Sequence, residues 1–128
     1  MENKPDYALV LPSDGDRLHL VEQFRYPLGI RRWEFPQGTA PDRADLKGSE
    51  LAARELREET GLRAERLVDL GRLDVAPGLT SQRGRAFVAT GLTPGEPDRE
   101  PEEQDMRSAW FSRQEVERMI RDGEITDA

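Results

Sequence analysis

The segment "RELREETGL" (residues 54–62) constrains the fold more than any other, because it places three glutamates on one side of a predicted helix. Glu55, Glu58 and Glu59 are three and four residues apart, so their side chains stack on a single face. Gly61 then suits the left-handed position that follows a helix C-terminus. The pattern predicts a helix with an acidic face, consisting of these three glutamates, that ends at a glycine.

Spacing alone leaves two interpretations of the acidic face open. The first is a solvated helix surface, where like charges at this spacing cost only about 0.2–0.5 kcal/mol. The second is a cation site, because Mg²⁺ prefers carboxylate oxygens and commonly binds substrate phosphates as well. In a cleft, each close carboxylate pair would repel by roughly 3 kcal/mol at an effective dielectric constant near 20. A bound dication would reverse that penalty.

Length and composition narrow the class of protein. A chain of 128 residues predicts one domain, residues 1–128, with a hydrophobic core large enough to fold without disulfide bonds or a structural metal. It contains no cysteine, so a disulfide framework and a thiolate zinc site are excluded. The net charge of −7 argues against a nucleic-acid partner, which needs a basic surface. Without a membrane-spanning apolar run or a signal-peptide pattern, we expect no membrane partner and a cytoplasmic location.

Alternating apolar residues and turn signals predict a strand-rich chain. Asp14-Gly15 predicts a tight turn between two strands, and Pro36 with Gly38 predicts the end of a third, short strand. His19 lies within the first alternating pattern and is expected to face solvent. The predicted strands lie in 7–25 (as a pair), 33–39, 66–78, 84–90 and 106–111. Two polar, proline-containing segments are expected to be loops, 40–48 and 94–105.

Two helices are predicted, one central and one terminal. The central helix carries the acidic face and is expected to begin after a cap at Ser49. The terminal helix begins with Ser112 and Glu115, which form a capping box. Its predicted apolar side consists of Val116, Met119 and Ile120. Many strands with two helices predict the α+β class, arranged as an α/β/α sandwich.

The acidic face belongs to a longer pattern. "G…ELAARELREETGL", from Gly38 to Leu62, resembles the Nudix box G-x5-E-x7-R-E-U-x-E-E-x-G-U, where U is a bulky aliphatic residue. The half that begins at Arg54 matches at every fixed position. The first half differs, because Leu46 stands where the box has a glutamate and the loop after Gly38 is two residues longer. The resemblance implies a Nudix fold, with a mixed β-sheet between α-helices and a catalytic loop-helix at 38–62.

The resemblance also implies roles for the charged residues of the helix. Glu55 and Glu59 would be the main Mg²⁺ ligands, with Mn²⁺ as an alternative ion. Glu58 would ligate a second ion or help to activate water. Arg54 would orient a glutamate, because a guanidinium pairs well with a carboxylate.

Two further parts of the implied site lie outside the helix. In this family a backbone carbonyl near the box glycine also reaches the metal, so Gln37 or Gly38 is the expected donor. A glutamate from a late loop is the general base in several members. Glu58 is one candidate for that role, and Glu103 is the candidate named from the segment "EPEEQD", which also offers Glu100, Glu102 and Asp105. A solvated acidic loop is the other interpretation of this segment.

The sequences around the box are similar to those of ADP-ribose pyrophosphatases. "LVEQFRYPLG" (20–29) and "WEFPQG" (33–38) resemble their V-x-Q-x-R … E-x-P-A-G stretch, and "APGLTSQ" (76–82) resembles their P-G-x-S-x-E loop. The candidate substrate contacts are Arg25, Arg32 and Arg83 for the diphosphate, Trp33 for stacking on a base, and Glu34. Core packing is the alternative role for Trp33, and surface ion pairing is the alternative for each arginine.

The resemblance thus implies Mg²⁺-dependent hydrolysis of the diphosphate linkage in a nucleoside diphosphate-X. ADP-ribose or an ADP-sugar is the expected substrate, with AMP and a sugar phosphate as products. The expected partners are this small nucleotide and a second copy of the chain in a homodimer. Two alternatives stay open, namely hydrolysis of an oxidised nucleoside triphosphate and a catalytically silent nucleotide sensor, which the departure at Leu46 would suit.

Overall fold

The computed structural model describes residues 7–25, 30–39, 48–74, 83–99 and 106–125. Within these ranges the chain forms seven strands and two helices. In chain order they are β1 (Tyr7–Asp14), β2 (Arg17–Arg25), β3 (Ile30–Glu34), β4 (Gln37–Thr39), α1 (Gly48–Thr60), β5 (Arg63–Asp74), β6 (Arg83–Thr93), β7 (Arg107–Ser112) and α2 (Arg113–Arg121). Neither helix of the described part is long and apolar enough to cross a bilayer.

The strands form one mixed sheet with the order β3-β2-β1-β6-β5. Off this path, β4 pairs with β1 and β7 pairs with β2. The pairing of β1 with β6 is parallel, running from Tyr7 opposite Gly84 to Pro12 opposite Ala89. The other described pairs are antiparallel. The predicted mixed sheet is therefore confirmed.

Two buried apolar clusters hold the helices on the sheet. The first core cluster consists of Ala8, Val10, Leu51, Ala52, Leu56, Leu62, Phe87 and Ala89. The second core cluster consists of Leu20, Val116, Met119 and Ile125. The first cluster joins α1 to β1 and β6, and the second joins α2 to β2. Burying each of the larger side chains, Val, Leu, Ile, Phe or Met, stabilises the fold by about 1.5–3 kcal/mol, before the entropy of ordering is subtracted.

The two clusters lie on opposite faces of the sheet. Trp110 packs against the first cluster and stands opposite His19 in the pairing of β2 with β7. Leu20, the next residue along β2, belongs to the second cluster. Since successive side chains of a strand point to opposite faces, α1 and α2 cover different faces. This arrangement confirms the predicted α/β/α sandwich.

Local signals located the turn and the second helix correctly. Gly15 has φ +60° in the turn between β1 and β2. In the capping box, the Glu115 N–H donates to Ser112 Oγ at 3.1 Å, and the Ser112 N–H donates to Glu115 Oε1 at 3.0 Å. The hydrogen bond that the Ser112 backbone N–H donates to the carboxylate, with a further contribution from the Ser112 side chain, holds the pKa of Glu115 below its usual value. Met119 is buried as predicted, whereas Ile120 is 53% exposed, so its assignment to the apolar side was wrong.

The single strand predicted over 33–39 is wrong, because the chain changes partner at Pro36. β3 pairs with β2, whereas β4 pairs with β1. The carbonyl of Pro36 accepts a hydrogen bond from the Val10 N–H at 2.9 Å, which holds the break between the two short strands. α1 begins at Gly48, so Ser49 lies inside the helix rather than before it.

The expectation that His19 faces solvent is also wrong. The side chain is buried, and its ring stands edge-on to Trp110 with the centroids 4.7 Å apart. Alternation suggested a half-exposed strand, but both faces of β2 are covered in the sandwich. Burial, with a smaller contribution from Arg17, lowers the pKa of His19 to about 4. Both ring nitrogens lack a hydrogen-bond partner among the described atoms.

Candidate functional site

The acidic face of α1 is turned into the protein and not toward bulk water. Glu55, Glu58 and Glu59 are 6%, 9% and 3% exposed. The apolar side of the same helix, with Leu51 and Leu56, packs under the sheet and thereby fixes the rotation of the helix. The solvated-surface interpretation of this face is therefore wrong.

Strand β4 lies against the acidic face. A Cβ atom added to Gly38 would stand 2.7 Å from Oε2 of Glu55, so only glycine leaves room for that carboxylate. The Gln37 N–H donates to Oε1 of Glu59 at 3.3 Å, while the Gln37 side chain donates to the Phe35 carbonyl at 3.1 Å. The box glycine and the helix glutamates, which are distant in sequence, are thus in contact.

Arg54 holds one of the three carboxylates. Its Nε donates to Oε1 of Glu58, one helical turn away, at 2.6 Å. Both side chains are largely buried, at 21% and 11% exposure, so solvent screens this ion pair less than a surface pair. The contact orients Glu58 by a charge-assisted hydrogen bond.

The chemistry of these side chains fits a hard divalent cation. All three are carboxylates, the ligand type that Mg²⁺ and Mn²⁺ prefer, and they lie within two turns of one helix. Burying several carboxylates side by side is unfavourable unless cations or donors compensate them. In the described ranges, no three acidic or histidine side chains converge closely enough to form a ready cation cluster. The glutamates instead contact protein donors, including Arg54 and the Gln37 amide.

Strand β3 brings two candidate substrate residues to the face of the sheet that α1 covers. Glu34 stands opposite Val21 of β2, the residue two positions from His19, and is 1% exposed. Arg32 is two residues earlier on β3 and therefore shares this face. Its Nε is buried and lacks a hydrogen-bond partner among the described atoms. An unsatisfied buried donor of this kind is well suited to an anionic ligand.

Trp33 lies on the other face of β3. Its ring packs against the second core cluster and meets Phe111 edge-on, with the centroids 4.8 Å apart. The structure favours the core-packing role that the sequence left open. The role of Trp33 in stacking on a base stays a prediction.

The side chains of three predicted site residues lie outside the described part of the structure. Arg25 ends β2 and Arg83 begins β6, and both side chains fall outside the described part of the chain. Glu103 lies in 100–105, which is also outside it. Their assignments stay predictions.

One contact to the acidic helix was missed from the sequence. The Arg99 guanidinium donates through Nε to the backbone carbonyl of Glu59 at 3.0 Å, although the two residues are 40 positions apart. The predicted loop over 94–105 gave no periodic signal from which this contact could be inferred. A positive residue at a helix C-terminus is favourable, but only the fold shows which helix it reaches.

The fold also matches a solved structure. The structure described as an ADP compounds hydrolase superposes with a TM-score of 0.82 at 23% identity, covering 95% of this chain and 64% of that one. Similarity at this identity shows the shared fold. It agrees with the helix–sheet–helix arrangement derived above.

Residues 3–128 match the NUDIX domain model. An ADP-ribose pyrophosphatase of Mycobacterium tuberculosis is 39% identical over 122 residues, covering 94% of this chain and 58% of the relative. An ADP-ribose pyrophosphatase of Bacillus subtilis is 33% identical over 101 residues, covering 77% and 52%. The chain therefore spans little more than half the length of these two relatives. With the buried acidic helix and its glycine contact, these matches show that the chain belongs to the NUDIX domain family.

Proposed function

We propose that this chain hydrolyses the diphosphate linkage of ADP-ribose or a related ADP-sugar, producing AMP and a sugar phosphate. The main support is the burial of Glu55, Glu58 and Glu59 on one face of α1, with β4 against Glu55 and Glu59, which groups carboxylates of the kind that a divalent cation prefers. Two relatives that span most of this chain are named ADP-ribose pyrophosphatase. Their activity is carried over as a proposal, because the chain covers only 58% and 52% of their lengths.

The proposed cation is Mg²⁺, with Mn²⁺ as a substitute. Glu55 and Glu59 would hold it, with Glu58 as a further ligand and a backbone carbonyl at Gln37 or Gly38 as a neutral donor. When bound, the cation would neutralise diphosphate charge and lower the pKa of a water molecule. The close fit of Glu55 against Gly38 would keep the first carboxylate from swinging away from its position.

The protein's own groups would position the reacting water. Oε1 of Glu58 accepts the hydrogen bond from Arg54, so Oε2 is the atom that could take a proton from the attacking water. Arg54 would hold Glu58 in one rotamer for this task. Glu103 is the other candidate base.

The substrate's diphosphate would be bound by arginine side chains. Arg32 supplies a buried Nε donor without a partner among the described atoms, and a guanidinium suits phosphate oxygens in bidentate geometry. Arg25 and Arg83 are proposed as further phosphate contacts. Glu34, on the same face as Arg32, is proposed as a further residue of the substrate site.

A hydrolysis panel tests the proposal. Purified protein with Mg²⁺ is offered ADP-ribose, other nucleotide sugars, dinucleoside polyphosphates and deoxynucleoside triphosphates, and products are separated by chromatography. We expect AMP from ADP-ribose. The variant Glu59→Gln, which keeps the shape but loses the charge, should reduce the rate on the order of 100-fold. The matched control Glu117→Gln, on the exposed side of α2, should leave the rate unchanged.

Two results would contradict the proposal. Pyrophosphate release from a triphosphate, without AMP from ADP-ribose, would favour a triphosphate hydrolase. Tight nucleotide binding without turnover would favour a sensor.

We also propose a homodimer and a cytoplasmic location. Strand β5 forms one edge of the described sheet and exposes Val68 and Leu70, at 44% and 56%, which suits a protein contact. Analytical ultracentrifugation should show a dimer, and charged substitutions at these two positions should shift it toward monomer. A monomer at micromolar concentration would refute the dimer.

A further inference from the structure

The C-terminal turn of α1 is held by the segment that follows β6. We call residues 94–99 the strap. The Asp98 N–H donates to the carbonyl of Glu58 at 2.8 Å, and Arg99 Nε donates to the carbonyl of Glu59 at 3.0 Å. The strap therefore contacts the backbone of the two residues that end the acidic face.

These contacts give hydrogen-bond partners to two carbonyls of the helix end, those of Glu58 and Glu59. The last carbonyls of an α-helix have no partner within the helix. Here the carbonyl of Arg57 accepts from the Gly61 N–H at 2.9 Å, and the next two carbonyls accept from the strap. The strap thus supplies to the carbonyls of Glu58 and Glu59 the donors that a local capping motif supplies at many helix ends.

The strap and the helix end cross in direct backbone contact. A Cβ atom on Gly61 would lie 2.0 Å from the carbonyl oxygen of Gly95, and one on Gly95 would lie 2.9 Å from the carbonyl oxygen of Gly61. Neither segment has room to move toward the other. A shift of the strap toward α1 would therefore displace the end of the helix. Protein interiors packed this closely are hardly compressible, and they transmit strain from one segment to the next.

The charge of Arg99 adds to this effect. A cation at a helix C-terminus is stabilised by the helix dipole. The same charge lies at the backbone of a residue whose carboxylate would hold a divalent cation. Because displacements of about 1 Å in a reacting site can cost on the order of 100-fold in rate, the orientation of this turn matters for function.

We propose that Arg99 is a positioning residue of the cation site. Through its hydrogen bond to the Glu59 carbonyl, it holds the last turn of α1 in the orientation in which Glu58 and Glu59 bind the divalent cation. The proposed role is exerted through the backbone of α1. This role rests on the cation site of the proposed function and adds to it a determinant outside the Nudix box.

The test is a Mn²⁺ titration followed by electron paramagnetic resonance, in which bound Mn²⁺ leaves the free-ion signal. The proteins compared are the wild type, Arg99→Ala, Arg99→Lys and Arg121→Ala. Arg121 is the matched control, because it is exposed in the last turn of the other helix. We expect Arg99→Ala to weaken Mn²⁺ binding about tenfold and Arg121→Ala to change it less than twofold. Arg99→Lys should recover part of the loss, since an ammonium can still donate to the carbonyl.

Two further readouts separate positioning from general damage. The Gly61 amide should exchange its hydrogen faster in Arg99→Ala than in the wild type, while amides of α2 keep their rates. In hydrolysis assays kcat should fall, with less than a twofold change in the KM for ADP-ribose. If Arg99→Ala unfolds, Gly95→Ala displaces the strap while keeping Arg99 and should weaken Mn²⁺ binding in the same way.

The outcomes distinguish this proposal from the one on which it rests. A wild type that binds no Mn²⁺ would overturn the cation site and the role of Arg99 together. Wild-type binding that is equal in Arg99→Ala, or in Gly95→Ala where Arg99→Ala does not fold, would overturn only the positioning role.

Discussion

At the scale of single residues, the contact between Gly38 and Glu55 explains why the proposed site needs a glycine on β4. The neighbouring Gln37 amide reaches Glu59, so β4 touches two of the three glutamates. A side chain at Gly38 would enter the space of the Glu55 carboxylate. The geometry of the site therefore depends on the lack of a side chain at Gly38 as well as on the charged residues.

We expect Gly38→Ala to displace the Glu55 carboxylate, because the added methyl would stand 2.7 Å from Oε2. Mn²⁺ binding should weaken about tenfold, and the free energy of unfolding should fall by about 1–3 kcal/mol through overpacking. Metal titration and chemical denaturation measure the two effects. In a Glu55→Asp background the stability loss from Gly38→Ala should shrink, since the shorter side chain withdraws from the methyl. Equal losses in both backgrounds would contradict a direct contact.

The residues of the site differ in how far the sequence could predict them. Glu55, Glu58 and Glu59 follow from helical spacing, which is local and periodic. Their burial does not follow from spacing, since a solvated face has the same pattern. Arg99 lies 40 residues from its partner in a segment without periodicity, so no local rule connects it to the helix.

At the scale of elements, each helix is followed within two residues by a glycine of positive φ, but the two glycines have different surroundings. Gly61 has φ +80° and faces the Gly95 carbonyl, whereas Gly123 has φ +77°, and a methyl group added there would meet no described atom within 4 Å. The two glycines have the same backbone conformation, but only Gly61 lies against another segment of the chain. Substituting each glycine therefore separates backbone strain from steric overlap.

We expect Gly123→Ala to lower the free energy of unfolding by about 1 kcal/mol, the cost of a left-handed alanine. Gly61→Ala should cost about 3 kcal/mol, because overlap with the strap adds to the same strain. Urea denaturation of both variants gives the comparison. Similar losses would mean that the strap yields easily, which would weaken the role given to Arg99.

Element boundaries were predictable where the signal was local. The Asp14-Gly15 turn and the Ser112–Glu115 capping box depend on neighbouring residues, and both were located correctly. The break at Pro36 depends on which strands pair with β3 and β4, and those partners are distant in sequence. A run of apolar residues cannot show that the chain switches partner halfway.

At the scale of the whole molecule, helices cover both faces of the sheet. Alternation of apolar and polar residues along a strand therefore does not show which side chains are exposed. The number of strands and helices predicted a sandwich, and the structure has one. In a sandwich both sets of alternating side chains are buried in the central strands, so a polar residue there is not exposed. His19 lies on β2, between the two core clusters, and its burial is a property of the whole arrangement.

The burial of His19 should make global stability depend on pH. The pKa is near 6.5 in the unfolded chain and about 4 in the fold, because burial and Arg17 disfavour the charged ring. As pH falls below 6.5, the unfolded chain takes up a proton that the folded chain does not accept until about pH 4. Unfolding therefore becomes more favourable across this window, and the loss is complete below pH 4.

We expect the variant His19→Phe to remove this dependence. Phenylalanine keeps the ring contact with Trp110 and loses no hydrogen bond among the described atoms, because neither imidazole nitrogen makes one. At pH 7 the two proteins should differ by about 1 kcal/mol or less, whereas between pH 7 and 4.5 the wild type should lose about 1–3 kcal/mol more than the variant. Urea denaturation across this range measures the difference. His19 is the single histidine of the chain, so parallel pH profiles would show that its ring is not held neutral in the fold.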